Sequence, residues 1–432
     1  QGGPLPTPYC DGCLTLRGML NSPSMSESQT SGYIPFALRN ARLLAFGFLM
    51  AFASTFGQTH FVGVFSPSIE TEFGLSHTEW GAIYMAGTLA SAALLPFSGR
   101  LIDRMSVRRY AIVVLLGMAA ACFAIAVVPA AWTLVVVIFL LRQFGQGLCQ
   151  HTAVTGMVKS FDRDRGKAVA IAILGFPAGR AFLPVLAVAA IAVIGWRWSY
   201  MACGIAGLLM IPMVMWLLPG RSAGKLAVPA STESGTTGDR RLGEMLRDPF
   251  FFLMLPALMA PAILETAMNF HQLTIAGMKG WSAEWVTGGY AVFAATTLVV
   301  SMFAGDLADR IGASRLMPFG LLPLAAGVLV VAYGDHYVWA WVYLGCFGLT
   351  SGLMVTCVPL LLAEVYGTRH IGAIRSFAAT VSVFGSALAA PLLGIGLDAE
   401  VPLTSMGIAG AAYVVLASVL MAYACRQERN RR

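Results

Sequence analysis

Two arginines interrupt long apolar runs of this chain, Arg142 in "LRQFGQGLCQ" and Arg180 in "GFPAGRAFLPV". A guanidinium in hydrocarbon is costly, so it marks a functional position by default. Its planar fork matches a carboxylate or phosphate in bidentate fashion, which points to anion binding. Arg142 heads a stripe with Gln146 and Gln150 at i, i+4 and i+8, close to one helical face. Its alternative role is a bond to helix carbonyls that only fixes packing. Arg180 lies between Gly179 and Pro184, a setting for a bent or closely packed helix, and its alternative is a buried pair with Glu265 or another internal acid.

Glu265 shares a second stripe with Asn269 and Gln272, beside His271, while Ser54, Gln58, Thr59 and His60 form a polar patch earlier in the chain. Glu265 is the clear embedded acid and the first candidate for carrying a coupled proton; His271 and His60 come second. The substrate-contacting set expected on these grounds is Gln58, His60, Arg142, Gln146, Arg180, Glu265, Asn269 and His271. Glu70, Glu72, His77 and Glu79 also cluster, and are expected to form a solvated surface.

The elements that position these residues are membrane spans. The chain has 432 residues, is 57% hydrophobic and 11% charged, and has a mean hydropathy of +0.74, far from the usage of soluble domains. Apolar runs of about 20 residues, enough to cross roughly 30 Å of hydrocarbon as helix, fall near 43–65, 79–99, 110–129, 132–157, 167–194, 197–218, 249–275, 283–305, 314–333, 337–362, 370–394 and 403–425. The expected fold is therefore all-α, with twelve transmembrane helices in two six-helix bundles. Its parts are an N-terminal tail (1–40), a first bundle (41–218), a polar linker (219–248), a second bundle (249–425) and a basic tail (426–432).

Of the 28 Lys and Arg, 24 lie in the termini and the alternate loops that share their side. The positive-inside rule puts that side in the cytoplasm, in a bacterial inner membrane. A net charge of +7 suits basic loops on an anionic leaflet and needs no nucleic acid. Six of the eight Cys sit in or beside apolar runs and are expected as small core residues rather than a disulfide framework. Cys10 and Cys13 form a lone CxxC in a stretch that precedes Met25 and is expected to be an upstream extension or processed leader. The first span doubles as targeting signal.

A shift of 206 residues pairs Gly99, Leu101, Asp103, Arg104 and Arg109 with Gly305, Leu307, Asp309, Arg310 and Arg315, and Arg163, Gly166 and Gly179 with Arg369, Gly372 and Gly385. One offset serving separate loops indicates an internal duplication. In these loops Asp103 can accept from a helix N-terminus and Arg104 can pair with Asp162 or Asp164. The expected cytoplasmic gate is Gly99, Asp103, Arg104, Arg109, Asp162, Asp309 and Arg310; the plainer alternative is a set of topological anchors.

"GRLIDRMSVRR" and its copy "GDLADRIGASR" resemble the signature loop of the major facilitator superfamily, and "RQFGQG" at 142–147 and "RDRGKA" at 163–168 resemble that family's other motifs. The resemblance spans about residues 40–425. It implies two six-helix bundles that rock about a central site, with the residue at Arg142 associated with proton coupling or substrate contact. "STFGQTHFVGVFSPSIETEFGLS" also looks like the bacterial monocarboxylate and oxalate-formate branches, although the eighth span lacks the intramembrane Arg associated with oxalate exchange.

There is no P-loop, HExxH, GxSxG or four-ligand Cys/His spacing, so neither an enzyme nor a bound cofactor or metal is expected. The reading is a secondary transporter of a small, monocarboxylate-like organic anion. It is driven most simply by a proton gradient, and one chain supplies both halves of the site, so a monomer is sufficient. The alternatives are a drug-proton antiporter exporting lipophilic compounds and a membrane receptor that transports nothing.

Overall fold

The computed structural model describes residues 2–3, 33–161, 164–218, 240–367 and 369–431. In the segment up to Ala41 the described residues include a short helix, Tyr33–Arg39. From Arg42 onward the described residues form helices and turns, with no strand among them.

Among the described residues, eleven helical stretches are long and apolar enough to span a bilayer. One of them, Arg165–Leu217, contains Gly195 at φ 77° and ψ 164°, a backbone region that glycine enters without penalty. The chain turns there, and the stretch is two spans. The twelve are Ala41–Phe73, His77–Arg104, Val107–Ala126, Ala131–Ser160, 165–194, 196–217, Pro249–Phe270, Ala283–Ile311, Ala313–Tyr333, Trp339–Tyr366, Ile371–Asp398 and Leu403–Arg431. They are named first to twelfth below.

Several ends run past the apolar stretches. The first span continues through Glu70 and Glu72 to a left-handed Gly74, and the second starts at a capping box formed by Ser76 and Glu79. The twelfth continues as helix through the basic C-terminus, so 426–431 is the end of a span, with Glu428 buried. Of the linker, 219–239 lies outside the described residues. Residues 240–248 are folded: Arg240 N–H donates to the Tyr366 carbonyl at 3.0 Å, its guanidinium pairs with Asp248 at 2.7 Å, and Leu242–Met245 is a helical turn.

Two spans related by the repeat are broken, the first near its middle and the seventh toward its far end. The first unwinds into a 3₁₀ turn at Ser54–Gly57 and an extended Gln58 before resuming at Thr59; the seventh stops at His271 and resumes as Gln272–Met278. Breaks in hydrocarbon survive only where the freed backbone groups find partners, and these partners build the site.

The two halves meet where the second span packs on the eleventh, the fifth on the eighth and the first on the seventh. At the end away from the chain termini this seam is tight. The His77 and Thr78 N–H groups donate to the Asp398 carboxylate at 2.9 and 2.8 Å, and Ser66 Oγ donates to the Phe270 carbonyl at 3.3 Å. Toward the terminal face lies a cavity lined mainly by the first half, with Val383 from the second.

Candidate functional site

The 3₁₀ break in the first span leaves the Gly57 carbonyl without a helical partner, and Arg142 Nη1 donates to it at 3.2 Å and to Thr59 Oγ1 at 3.4 Å. The helices touch backbone to backbone here, since a Cβ on Gly57 would lie 2.1 Å from the Leu141 carbonyl oxygen. Over Leu141–Cys149 the fourth span is wound as π-helix, a form found at functional sites. Arg142, Gln146 and Gln150, with Thr88, Ser91 and His151, line a cavity of about 320 Å³. The second and fourth spans supply this lining from mid-membrane toward the terminal face, and Val383 of the eleventh span adds to it from the other half. The stripe does share one face, while the Arg142 head group itself is tied to a helix carbonyl.

Arg180 and Asn269 meet at the seam between the halves. Arg180 is 5% exposed; its Nη2 donates to Asn269 Oδ1 at 3.3 Å, and its guanidinium carbon stands 3.4 Å from the Phe293 ring centroid and 4.9 Å from that of Tyr290. Tyr290 Oη lies between Asn269 Oδ1, at 3.0 Å, and Gln272 Oε1, so its one proton serves one acceptor at a time. Gln272 Nε2 in turn donates to the His60 carbonyl at 2.7 Å, closing a network across the two breaks. The His60 ring packs between Phe176 and Tyr290. Arg180 Nε, Arg142 Nε and His60 Nε2 are buried with no hydrogen-bond partner.

Among the described residues neither Arg142 nor Arg180 has a carboxylate within 4.0 Å. The expected alternative of an Arg180–Glu265 ion pair is thus not formed. Glu265 accepts instead from Ser351 Oγ at 2.6 Å. Gln58 is buried as the extended residue of the first break.

His271 departs from the expected central location. The helix break turns its ring to the closed end of the seam, where Nε2 bonds the Ala390 carbonyl at 2.9 Å and the ring faces His77. Of the acidic cluster beside it, Glu72 and Glu79 are exposed as expected, and Glu70 is not. Glu70 is buried and bonds His77, and Glu72 pairs with Arg197.

In the signature loop Asp103 pairs with Lys159 at 2.7 Å, and Lys159 also donates to the Ile102 carbonyl; Asp103 does not cap a helix. That role belongs in the second half to Glu364, which accepts from the N–H groups of Ala313 and Ser314 at the start of the ninth span. Asp164 pairs with Lys167, so it is not the partner of Arg104, and Asp162 lies outside the described residues. Gly99 packs against the His151 ring. Asp309 and Arg310 are exposed, and the Arg109 N–H donates to Ser106.

Tyr290 and Phe293 were not singled out by sequence, because aromatic residues in an apolar span read as core. The repeat carries the missing signal: the shift of 206 pairs Tyr290 with Tyr84, whose ring lies 5.1 Å under the Arg142 guanidinium.

A duplicated twelve-span fold with charged groups held between its halves is that of a secondary transporter. The chain belongs to the Major Facilitator Superfamily, whose sequence profile matches residues 47–390. It is 22% identical over 287 residues, 65% of this chain and 71% of the relative, to the uncharacterized MFS-type transporter YbcL of Bacillus subtilis (strain 168). Similar solved structures are the nucleoside transporter NupG (TM-score 0.66, 11% identity, 91% of this chain and 99% of that one). A bacterial homologue of the human lysosomal transporter Spinster, inward-facing and unoccupied, is similar at TM-score 0.65 and 14% identity, over 91% of this chain and 98% of that one. At these identities the likeness concerns the fold.

Proposed function

We propose that this multi-pass membrane protein is a proton-coupled transporter of a small organic anion of monocarboxylate type. In this reading its termini are in the cytoplasm of a bacterial cell and the described conformation is the inward-open one. One observation carries the reading: two guanidinium groups are buried at mid-membrane without a carboxylate partner, each with an unsatisfied Nε. A buried cation is stable only when paired or otherwise compensated, and an anionic solute supplies the missing charge. Arg180 is the clamp, Asn269, Tyr290 and His60 shape the site, and the cavity beside Arg142, Gln146 and Gln150 is the way in.

The proton-coupling group in this reading is Glu265, and the Asp103–Lys159 pair joins the second and fourth spans within the first half, so it stays formed while the terminal face is open. Purified protein in mild detergent is heated with a panel of mono- and dicarboxylates and lipophilic cations, beside Arg180→Ala. A ligand that binds only the folded state raises the midpoint with concentration. Stabilisation by a carboxylate in the parent and not the variant supports the reading. Stabilisation of both by lipophilic cations alone replaces it with the drug-export alternative.

A further inference from the structure

The closed end of the seam brings together three metal-ligating side chains that are far apart in sequence. Glu70 comes from the first span, His77 from the second and His271 from the break in the seventh. Each offers an atom, and these atoms all lie within 4.8 Å of one another. Glu70 and His271 are buried, while the His77 side chain is 29% exposed and open to solvent. His77 Nδ1 is 3.0 Å from Glu70 Oε1, and the His77 and His271 rings stand perpendicular with centroids 5.7 Å apart.

The proton on His271 can be located. The Ala390 carbonyl only accepts, so the Nε2 that bonds it at 2.9 Å carries the hydrogen. Nδ1 is then a lone pair, fully buried and with no hydrogen-bond partner. A ring held through one nitrogen by a backbone carbonyl, with the other nitrogen free, is how proteins prepare a histidine to ligate a metal.

We propose that Glu70, His77 and His271 form a binding site for a divalent transition metal, with zinc the best match. Two imidazoles and one carboxylate, with water as fourth ligand, is an established zinc donor set. Metal–ligand bonds of about 2.0–2.2 Å require the three atoms, now within 4.8 Å of one another, to draw together. Glu70 and His77 belong to the first half and His271 to the second, so the ion ties the halves together at the end that Asp398 already closes. Its effect is to hold that face shut. The proposal is independent of which solute is carried.

The full-length protein is tested in detergent with Cys10→Ser and Cys13→Ser, which removes the CxxC as a competing ligand pair. After chelator treatment it is titrated with Co²⁺, whose visible absorption reports a tetrahedral site, and then with Zn²⁺. One Co²⁺ per chain is expected, with displacement by Zn²⁺ and a rise in the thermal midpoint. His77→Ala, the half-exposed ligand, and Glu70→Gln are each expected to lose both the spectrum and the midpoint shift while keeping the parent's size-exclusion profile. A folded parent that gives no tetrahedral spectrum overturns the proposal, as does a spectrum that persists in His77→Ala. If either variant fails to fold, His271→Gln takes its place with the same expected loss.

Discussion

Arg180 of the fifth span reaches across the seam to Asn269 of the seventh, Nη2 to Oδ1 at 3.3 Å, and finds a neutral amide where a buried cation is best served by a carboxylate. Phe293 and Tyr290 hold the guanidinium by their ring faces, an attraction that leaves the forked N–H groups available. The arrangement fixes where the charge sits without neutralising it.

Replacing Arg180 therefore tests the anion reading directly. Charge-assisted hydrogen bonds contribute about 1.5–3 kcal/mol, so Arg180→Ala is predicted to weaken carboxylate binding roughly 10- to 150-fold. Arg180→Lys keeps the charge and loses the fork, and is predicted to fall between. Titrations of the thermal midpoint measure both. Equal carboxylate affinity in Arg180→Ala and the parent would remove Arg180 from the site.

Much of this site was legible in the sequence because membrane burial makes each polar residue conspicuous. Arg142, Arg180, Asn269 and His60 stood out against apolar surroundings, and the structure brings the last three together. What was hidden depends on where helices break. Gln58 reads as one more polar residue of a stripe, yet its extended backbone redirects the first span and frees the Gly57 carbonyl that Arg142 takes. His271 looked central by spacing, but the break at that residue turns it to the closed end. Glu70 and His77 read as surface because the seam that buries Glu70 is made by the other half, some two hundred positions later. The linker's folded end at Arg240 was hidden for the same reason, since its partner is Tyr366.

Asp398 is predicted to control how firmly that end closes. Its carboxylate accepts two N–H groups at the start of the second span, across the seam, and such capping contributes about 0.5–2 kcal/mol. Asp398→Ala should raise the labelling rate of Ser66→Cys, a buried seam position, by roughly 2- to 30-fold, the factor corresponding to that energy. The measurement uses an impermeant maleimide with the native cysteines replaced by Ala. An unchanged rate would show that Asp398 does not restrain the seam.

Gly63 is predicted to be required for the same closure for a steric reason. A Cβ there would stand 2.2 Å from the Asn269 carbonyl oxygen and 2.8 Å from that of Phe270, backbone atoms that cannot rotate aside. Gly63→Ala should push the halves apart at this end and, by the rocking geometry, together at the other. Labelling of Gln150→Cys from the terminal face should slow while labelling of Ser66→Cys quickens. If neither rate moves, the contact is not part of the closing surface.

Glu265 sits one helical turn before Asn269, so a proton on its carboxyl and an anion at Arg180 are close enough to influence each other. Its partner is the neutral Ser351 hydroxyl, at 2.6 Å, and a carboxyl so placed can take up and release a proton without breaking an ion pair. Gln preserves the hydrogen bond and cannot titrate. Glu265→Gln is thus predicted to abolish accumulation driven by an imposed pH gradient in proteoliposomes while retaining exchange of substrate across the same membrane. Retained gradient-driven accumulation would take the proton away from Glu265. Loss of exchange as well as accumulation would instead assign the residue to substrate binding, because exchange needs the site and the rocking motion but no net proton movement.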